Sequence, residues 1–91
     1  MINQEITIIN KLGLHTRAAA KLVGVASAFE SKIELKNIKT NQLANCKSIM
    51  SLLLIGAARG AVLNLKICGA DEHDARDAIL HLINHRFGEA E

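Results

Sequence analysis

Gly13-Leu14-His15-Thr16-Arg17 sets an imidazole and a guanidinium at the head of the alanine-rich run Ala18 to Val23. The first turn of a helix has backbone N–H groups without intrahelical partners and carries the positive end of the helix dipole, so it receives anions. Arg17 adds a planar, permanently charged fork that matches phosphate oxygens. A neutral imidazole, with an ordinary pKa of about 6.5, is both a nucleophile and a good leaving group. These residue types at this spacing describe a site that takes a phosphoryl group on histidine, holds it and releases it. A lone histidine at a loop-to-helix junction is more often a cap or surface residue; Gly13, Thr16 and Arg17 around His15 are what favour the chemical reading. No glycine-rich nucleotide loop is present, so the phosphoryl donor must arrive on a partner. The sequence calls for no cofactor and no metal.

The elements that must position this run are legible as alternations and periodicities. Gln4 to Ile9 alternates as a half-buried strand with Ile6 and Ile8 inward, and Asn10-Lys11-Leu12-Gly13 turns the chain. Ala19, Leu22, Val23, Ala26 and Phe29 recur at helical spacing over Thr16 to Phe29, with Lys21 on another face. Lys32 to Lys36 is a second strand with Ile33 and Leu35 buried, joined through a polar turn to a short strand near Leu43-Ala44. Ser48 to Ile55 is a short helix closed by Gly56, and Ala61 to Ile67 a strand with Leu63, Leu65 and Ile67 on one face. Asp71 caps a last helix running to about Phe87, whose Ala75, Ala78, Ile79, Leu82, Ile83 and Phe87 form one stripe, and Gly88 ends it. The order β-α-β-β-α-β-α, without repeat, linker or proline, predicts one α+β domain over residues 1–91.

Composition narrows the function. With 49% hydrophobic and 22% charged residues the chain has the make-up of a soluble globular protein. No apolar run reaches the roughly 20 residues of a membrane helix and no signal peptide is evident, so a cytoplasmic location is expected. Residues 1–70 hold nine Lys/Arg against three Asp/Glu, and residues 71–91 hold two against six. The basic part suits an acidic protein partner more than nucleic acid, because Phe29 and Phe87 are the only aromatic residues apart from histidine. Cys46 and Cys68 are expected to be reduced thiols packed as small hydrophobes.

Thr7 to Val23, Ser48 to Gly60 and the element order resemble the HPr family, the histidine-containing phosphocarriers of the bacterial phosphoenolpyruvate-dependent sugar phosphotransferase system. Gly13-Leu14-His15-Thr16-Arg17 matches that family's phosphorylation motif residue by residue. The resemblance implies an open-faced β-sandwich, a four-stranded antiparallel sheet covered on one face by three helices. It also implies a phosphocarrier and covalent transfer intermediate, not a conventional enzyme. His15 is then phosphorylated through Nδ1 and Arg17 binds the phosphate. Enzyme I is the implied donor and IIA domains are the implied acceptors, with the carrier acting as a monomer. The family usually has proline where this chain has Ala18, which leaves the start of the helix less rigid here; Ala18→Pro should be tolerated and slightly stabilising. The nitrogen-related paralogues called NPr also resemble the chain at Asn10 to Gly13 and Ser51 to Leu54, whereas Lys47-Ser48-Ile49-Met50 favours HPr. A regulatory binding module that kept the fold and lost transfer is the rival of another class.

Ser48 has two readings. It is a sufficient N-cap for the short helix, and it resembles the regulatory serine phosphorylated by HPr kinase/phosphorylase. A phosphate there would gain from the helix dipole and repel an acidic partner approaching His15. Ile49, Met50 and Leu53 either pack into the core or form an apolar docking patch beside the histidine, with Thr16 at the site and Arg17, Lys47 and Arg59 as its basic surround. His73, Asp77, His81 and His85 step along the last helix opposite its apolar stripe and are expected to be an exposed polar face.

Overall fold

The computed structural model describes residues Met1–Glu91. Its elements are β1 (Ile2–Thr7), α1 (Thr16–Ala26), β2 (Lys32–Asn37), β3 (Leu43–Asn45), α2 (Ile49–Leu54), β4 (Val62–Cys68) and α3 (Glu72–Asn84), followed by a 3-10 turn at Arg86–Gly88. The strands form one antiparallel sheet in the order β1-β4-β2-β3. Alternation decides which face is covered: Ile33 and Leu35 of β2 and Leu63, Leu65 and Ile67 of β4 are fully buried, and their neighbours point away. In register, Ile67 stands between Ile2 and Ile33, and Leu65 between Gln4 and Leu35. Against this face α1 lays Ala18, Ala19, Leu22 and Ala26, and α3 lays Ala75, Ile79 and Ile83. The small side chains of α1 let its backbone approach the sheet closely. This is the open-faced sandwich expected from the sequence.

The structure moves several boundaries. β1 begins at Ile2, and Ile8, though buried, lies past its end, bonded from its N–H to the Ala61 carbonyl at 3.0 Å. β4 is displaced by one residue at each end from the expected span, with the same three residues inward. α1 stops at Ala26 instead of Phe29, because Ala28 and Phe29 close tighter turns onto Val25 and Ala26. α3 stops at Asn84 instead of Phe87: Arg86 and Phe87 both take positive φ, 54°, and reverse the chain. Phe87 is still fully buried, so the apolar stripe continues into the core without helical geometry.

Asp71 precedes α3 but does not cap it by its side chain. Its carboxylate accepts the Glu30 N–H at 2.8 Å, the Ser31 N–H at 3.0 Å and the Ser31 hydroxyl. Three donors from the β2 approach outcompete the helix's own amides. The Ser31 hydroxyl, followed by the Glu30 amide, holds the Asp71 carboxyl below its ordinary value. Cys46 is buried as expected, its thiol pushed up to about 12 by burial and by Glu34. Cys68 is exposed, because it falls on the outward phase of β4 next to inward Ile67.

Candidate phosphoryl-transfer site

His15 is the N-cap of α1, in extended conformation, and its side chain makes no capping bond. The imidazole, a quarter exposed, is therefore not spent on the helix's own amides. Thr16, Arg17 and Ala18 form the first turn and the first intrahelical acceptor bond is Ala19 N–H to the His15 carbonyl at 2.8 Å, so three amides remain without partners. Arg17 is exposed and forms no ion pair with a carboxylate. Thr16 is also exposed.

The loop that presents this turn is held by backbone contact. Asn10 to Gly13 closes a turn, Gly13 N–H to the Asn10 carbonyl at 3.1 Å, and Leu14 N–H donates to the Ala57 carbonyl at 2.8 Å. Gly13 has φ +68°, and a Cβ there would lie 2.7 Å from the Ala57 oxygen and 2.8 Å from the Ala58 Cα. Only glycine meets both the left-handed backbone and the close approach. The segment after α2 thus seats the histidine loop directly.

Two residues not singled out in the sequence complete the site. Asn10, fully buried, donates from Nδ2 to the Gly13 carbonyl at 2.8 Å and to Oε1 of Glu89 at 2.9 Å. The other oxygen of Glu89, Oε2, contacts Nε2 of His15. Asn10 first, and then His15, hold the Glu89 carboxyl below its ordinary value, so it is a carboxylate at neutral pH. Lys21 Nζ donates to the Phe87 carbonyl at 2.7 Å, and Lys11 N–H to the Glu91 carbonyl at 2.8 Å, which ties the acidic tail beside the histidine. An open cleft of about 620 Å³ lies between the cations Lys11, Arg17 and Lys21 and the tail from Gly88 to Glu91.

Ser48 is the N-cap of α2, its hydroxyl accepting the Ser51 N–H at 3.2 Å. Ile49 and Met50 are exposed, Met50 by 67%. Leu53, expected with them, is only half exposed and packs on the core, and Leu54, one residue on, is 74% exposed instead. A six-residue helix anchored by Leu52 rotates Leu54, not Leu53, onto the Met50 side. Lys47 is not a free surface cation, since its Nζ donates to the Phe29 carbonyl at 2.7 Å and so closes the end of α1. Arg59 is exposed and lines a separate groove with Ile38 and Lys39. His73, Asp77, His81 and His85 are exposed, with the His81 and His85 ring centroids 4.0 Å apart and the rings tilted by 30°.

A four-stranded sheet under three helices, with a partly exposed histidine at a helix head, defines a small open-faced sandwich of the kind found in phosphocarrier domains. Residues 2–85 match the family described as PTS HPr component phosphorylation site. Phosphocarrier protein HPr of Neisseria meningitidis is 47% identical over 91 residues, all of both chains, and phosphocarrier protein NPr of Shewanella violacea is 37% identical over 89 residues, 98% of this chain and 96% of its own. The crystal structure of HPr-C-His from Thermoanaerobacter tengcongensis superposes with a TM-score of 0.93 at 42% identity, all of both chains being covered. The chain belongs to the HPr family of phosphocarriers of the phosphotransferase system.

Proposed function

We propose that His15 is the phosphoryl acceptor, attacking through Nδ1, and that phosphorylated Enzyme I is its donor and IIA domains its acceptors. One observation carries this reading: Nε2 is engaged by Glu89, while His15 caps a helix whose first-turn amides have no partners and whose Arg17 is exposed and forms no salt bridge. In the transfer, the Nδ1 lone pair forms a bond to phosphorus. The bond from phosphorus to the donor breaks, and the donor keeps the electron pair. The free amides of Thr16 and Arg17 and the guanidinium of Arg17 offset the phosphate charge. The reverse step delivers the group to an acceptor, because imidazole is a good leaving group. All these groups lie on one chain, so a monomer suffices in the cytoplasm, with no cofactor.

Exposed Ile49, Met50 and Leu54 offer an apolar docking surface, and the exposed guanidinium of Arg17 gives the site a positive charge that steers an acidic partner. Ser48, half-buried at the head of α2, is the proposed target of HPr kinase/phosphorylase. A phosphate there adds negative charge on the partner-facing side and slows charging of His15. The test is incubation with phosphoenolpyruvate and Enzyme I. An acid-labile gain of one phosphate, lost in His15→Ala and weakened in Arg17→Ala, supports the carrier; no gain in the unsubstituted protein supports a binding module.

A further inference from the structure

We propose that Glu89, braced by Asn10, is a positioning residue for His15: it accepts the Nε2 hydrogen, keeps the Nδ1 lone pair directed outward, and supports the positive charge the ring acquires when Nδ1 bonds to phosphorus. This rests on His15 being the phosphoryl acceptor. Neutral imidazole carries one hydrogen, and the partner of one nitrogen decides which nitrogen is nucleophilic. A carboxylate can only accept, so its contact with Nε2 places the hydrogen there and leaves Nδ1 free. As Nδ1 donates its electron pair, the ring becomes imidazolium-like while keeping the Nε2 hydrogen. A fixed negative charge on that side lowers the barrier with no proton passing to the carboxylate, much as the buried carboxylate of a serine-histidine-aspartate triad stabilises the imidazolium without becoming protonated.

The bracing separates this contact from a chance encounter of a charged tail. Asn10 spends both Nδ2 hydrogens, one on the carbonyl of Gly13 and one on Glu89, so one buried amide sets the histidine loop and the carboxylate together. Its Oδ1 is buried without a partner, a cost accepted for that orientation. The tail is held on both sides of Glu89, by buried Phe87 with Lys21 before it and by Lys11 after it. Glu89 is not a substitute for the phosphate either, because it meets the ring nitrogen opposite the reacting one; Arg17, which lines the same cleft and whose charge also favours the Glu89 carboxylate, forms no close ion pair with it.

The test uses full-length protein carrying 15N-labelled histidine, in unsubstituted, Glu89→Ala and Glu89→Gln forms, with amide spectra confirming the fold. Nitrogen shifts of neutral His15 report the tautomer without any partner protein. The unsubstituted protein should show the Nε2–H form alone, Glu89→Ala a mixture, and Glu89→Gln, whose amide oxygen still accepts, mostly the Nε2–H form. Charging by Enzyme I should fall about tenfold in Glu89→Ala, the lower end of what loss of an orienting partner costs a metal-bound histidine, and less in Glu89→Gln. An unchanged tautomer in Glu89→Ala overturns the proposal, as does an unchanged or faster rate, the latter marking the tail as an obstruction. If the unsubstituted protein takes no phosphate, the acceptor reading falls, which is a different result from a charged protein indifferent to Glu89.

Discussion

Gly13→Ala tests whether the loop against Ala57 is what holds the histidine in place. The new methyl would meet two costs. Holding alanine at φ +68° costs about 1–2 kcal/mol relative to glycine. Its Cβ, 2.7 Å from a carbonyl oxygen and 2.8 Å from a Cα, meets backbone atoms that cannot rotate away, so the two segments must part. That parting stretches the bond from Leu14 N–H to the Ala57 carbonyl, and losing a buried bond adds roughly 1–2 kcal/mol. The sum is about 2–4 kcal/mol, and at about 4–8 °C per kcal/mol for a domain of this size the melting temperature should fall by at least about 8 °C. Urea unfolding measures the free energy, and charging by Enzyme I at a temperature where the variant is folded measures the site. The rate should drop as well, since the seat of the imidazole has shifted. A loss below about 1 kcal/mol with an unchanged rate would refute the argument, showing that the loop yields freely and that Gly13 serves no packing purpose.

Three further outcomes are expected. Ala18 is the third residue of α1 and its N–H has no partner; Ala18→Pro should therefore raise stability by roughly 0.4–1 kcal/mol through the unfolded chain, and a lower melting temperature would show that the proline ring clashes in this buried position. The Asp71 carboxyl sits below its ordinary 3.8 in the folded chain, so its bonds to Glu30 and Ser31 stabilise above that value and fade as pH falls through the lowered one. The gap in urea midpoint between the unsubstituted protein and Asp71→Asn should accordingly be widest near neutral pH and narrow in acid; a gap that widens in acid would contradict the sign. Iodoacetamide at mildly alkaline pH should modify exposed Cys68 alone in the native protein and Cys46 only after unfolding, read by mass spectrometry; modification of native Cys46 would mean that its surroundings open readily.

What was legible in the sequence was local. Alternation in Lys32–Lys36 and Leu63–Ile67 located two strands and their inward faces, because a period of two leaves no freedom of register. His15 at a helix head could be read for the same reason, every part of the anion site lying within five residues. Glu89 could not, since 74 residues separate it from His15; the only hint was the surplus of acid after residue 70 against the basic stretch before it. Asn10 looked like an ordinary turn residue, and nothing local marks its amide as a buried double donor. Leu53 and Leu54 were indistinguishable because α2 is apolar almost all round and too short for its periodicity to select a face. Asp71 kept its place before α3, but a tertiary partner, Ser31, took the carboxylate that a helix would otherwise use.

The bond between Lys11 N–H and the Glu91 carbonyl has a practical consequence. Anything fused after Glu91 emerges beside Lys11, two residues past the carboxylate that contacts the imidazole, where a purification tag or fluorophore would crowd whatever protein comes to dock. A label in that place would serve as a proximity reporter of partner arrival, whereas kinetic comparisons are better made with the label elsewhere on the surface.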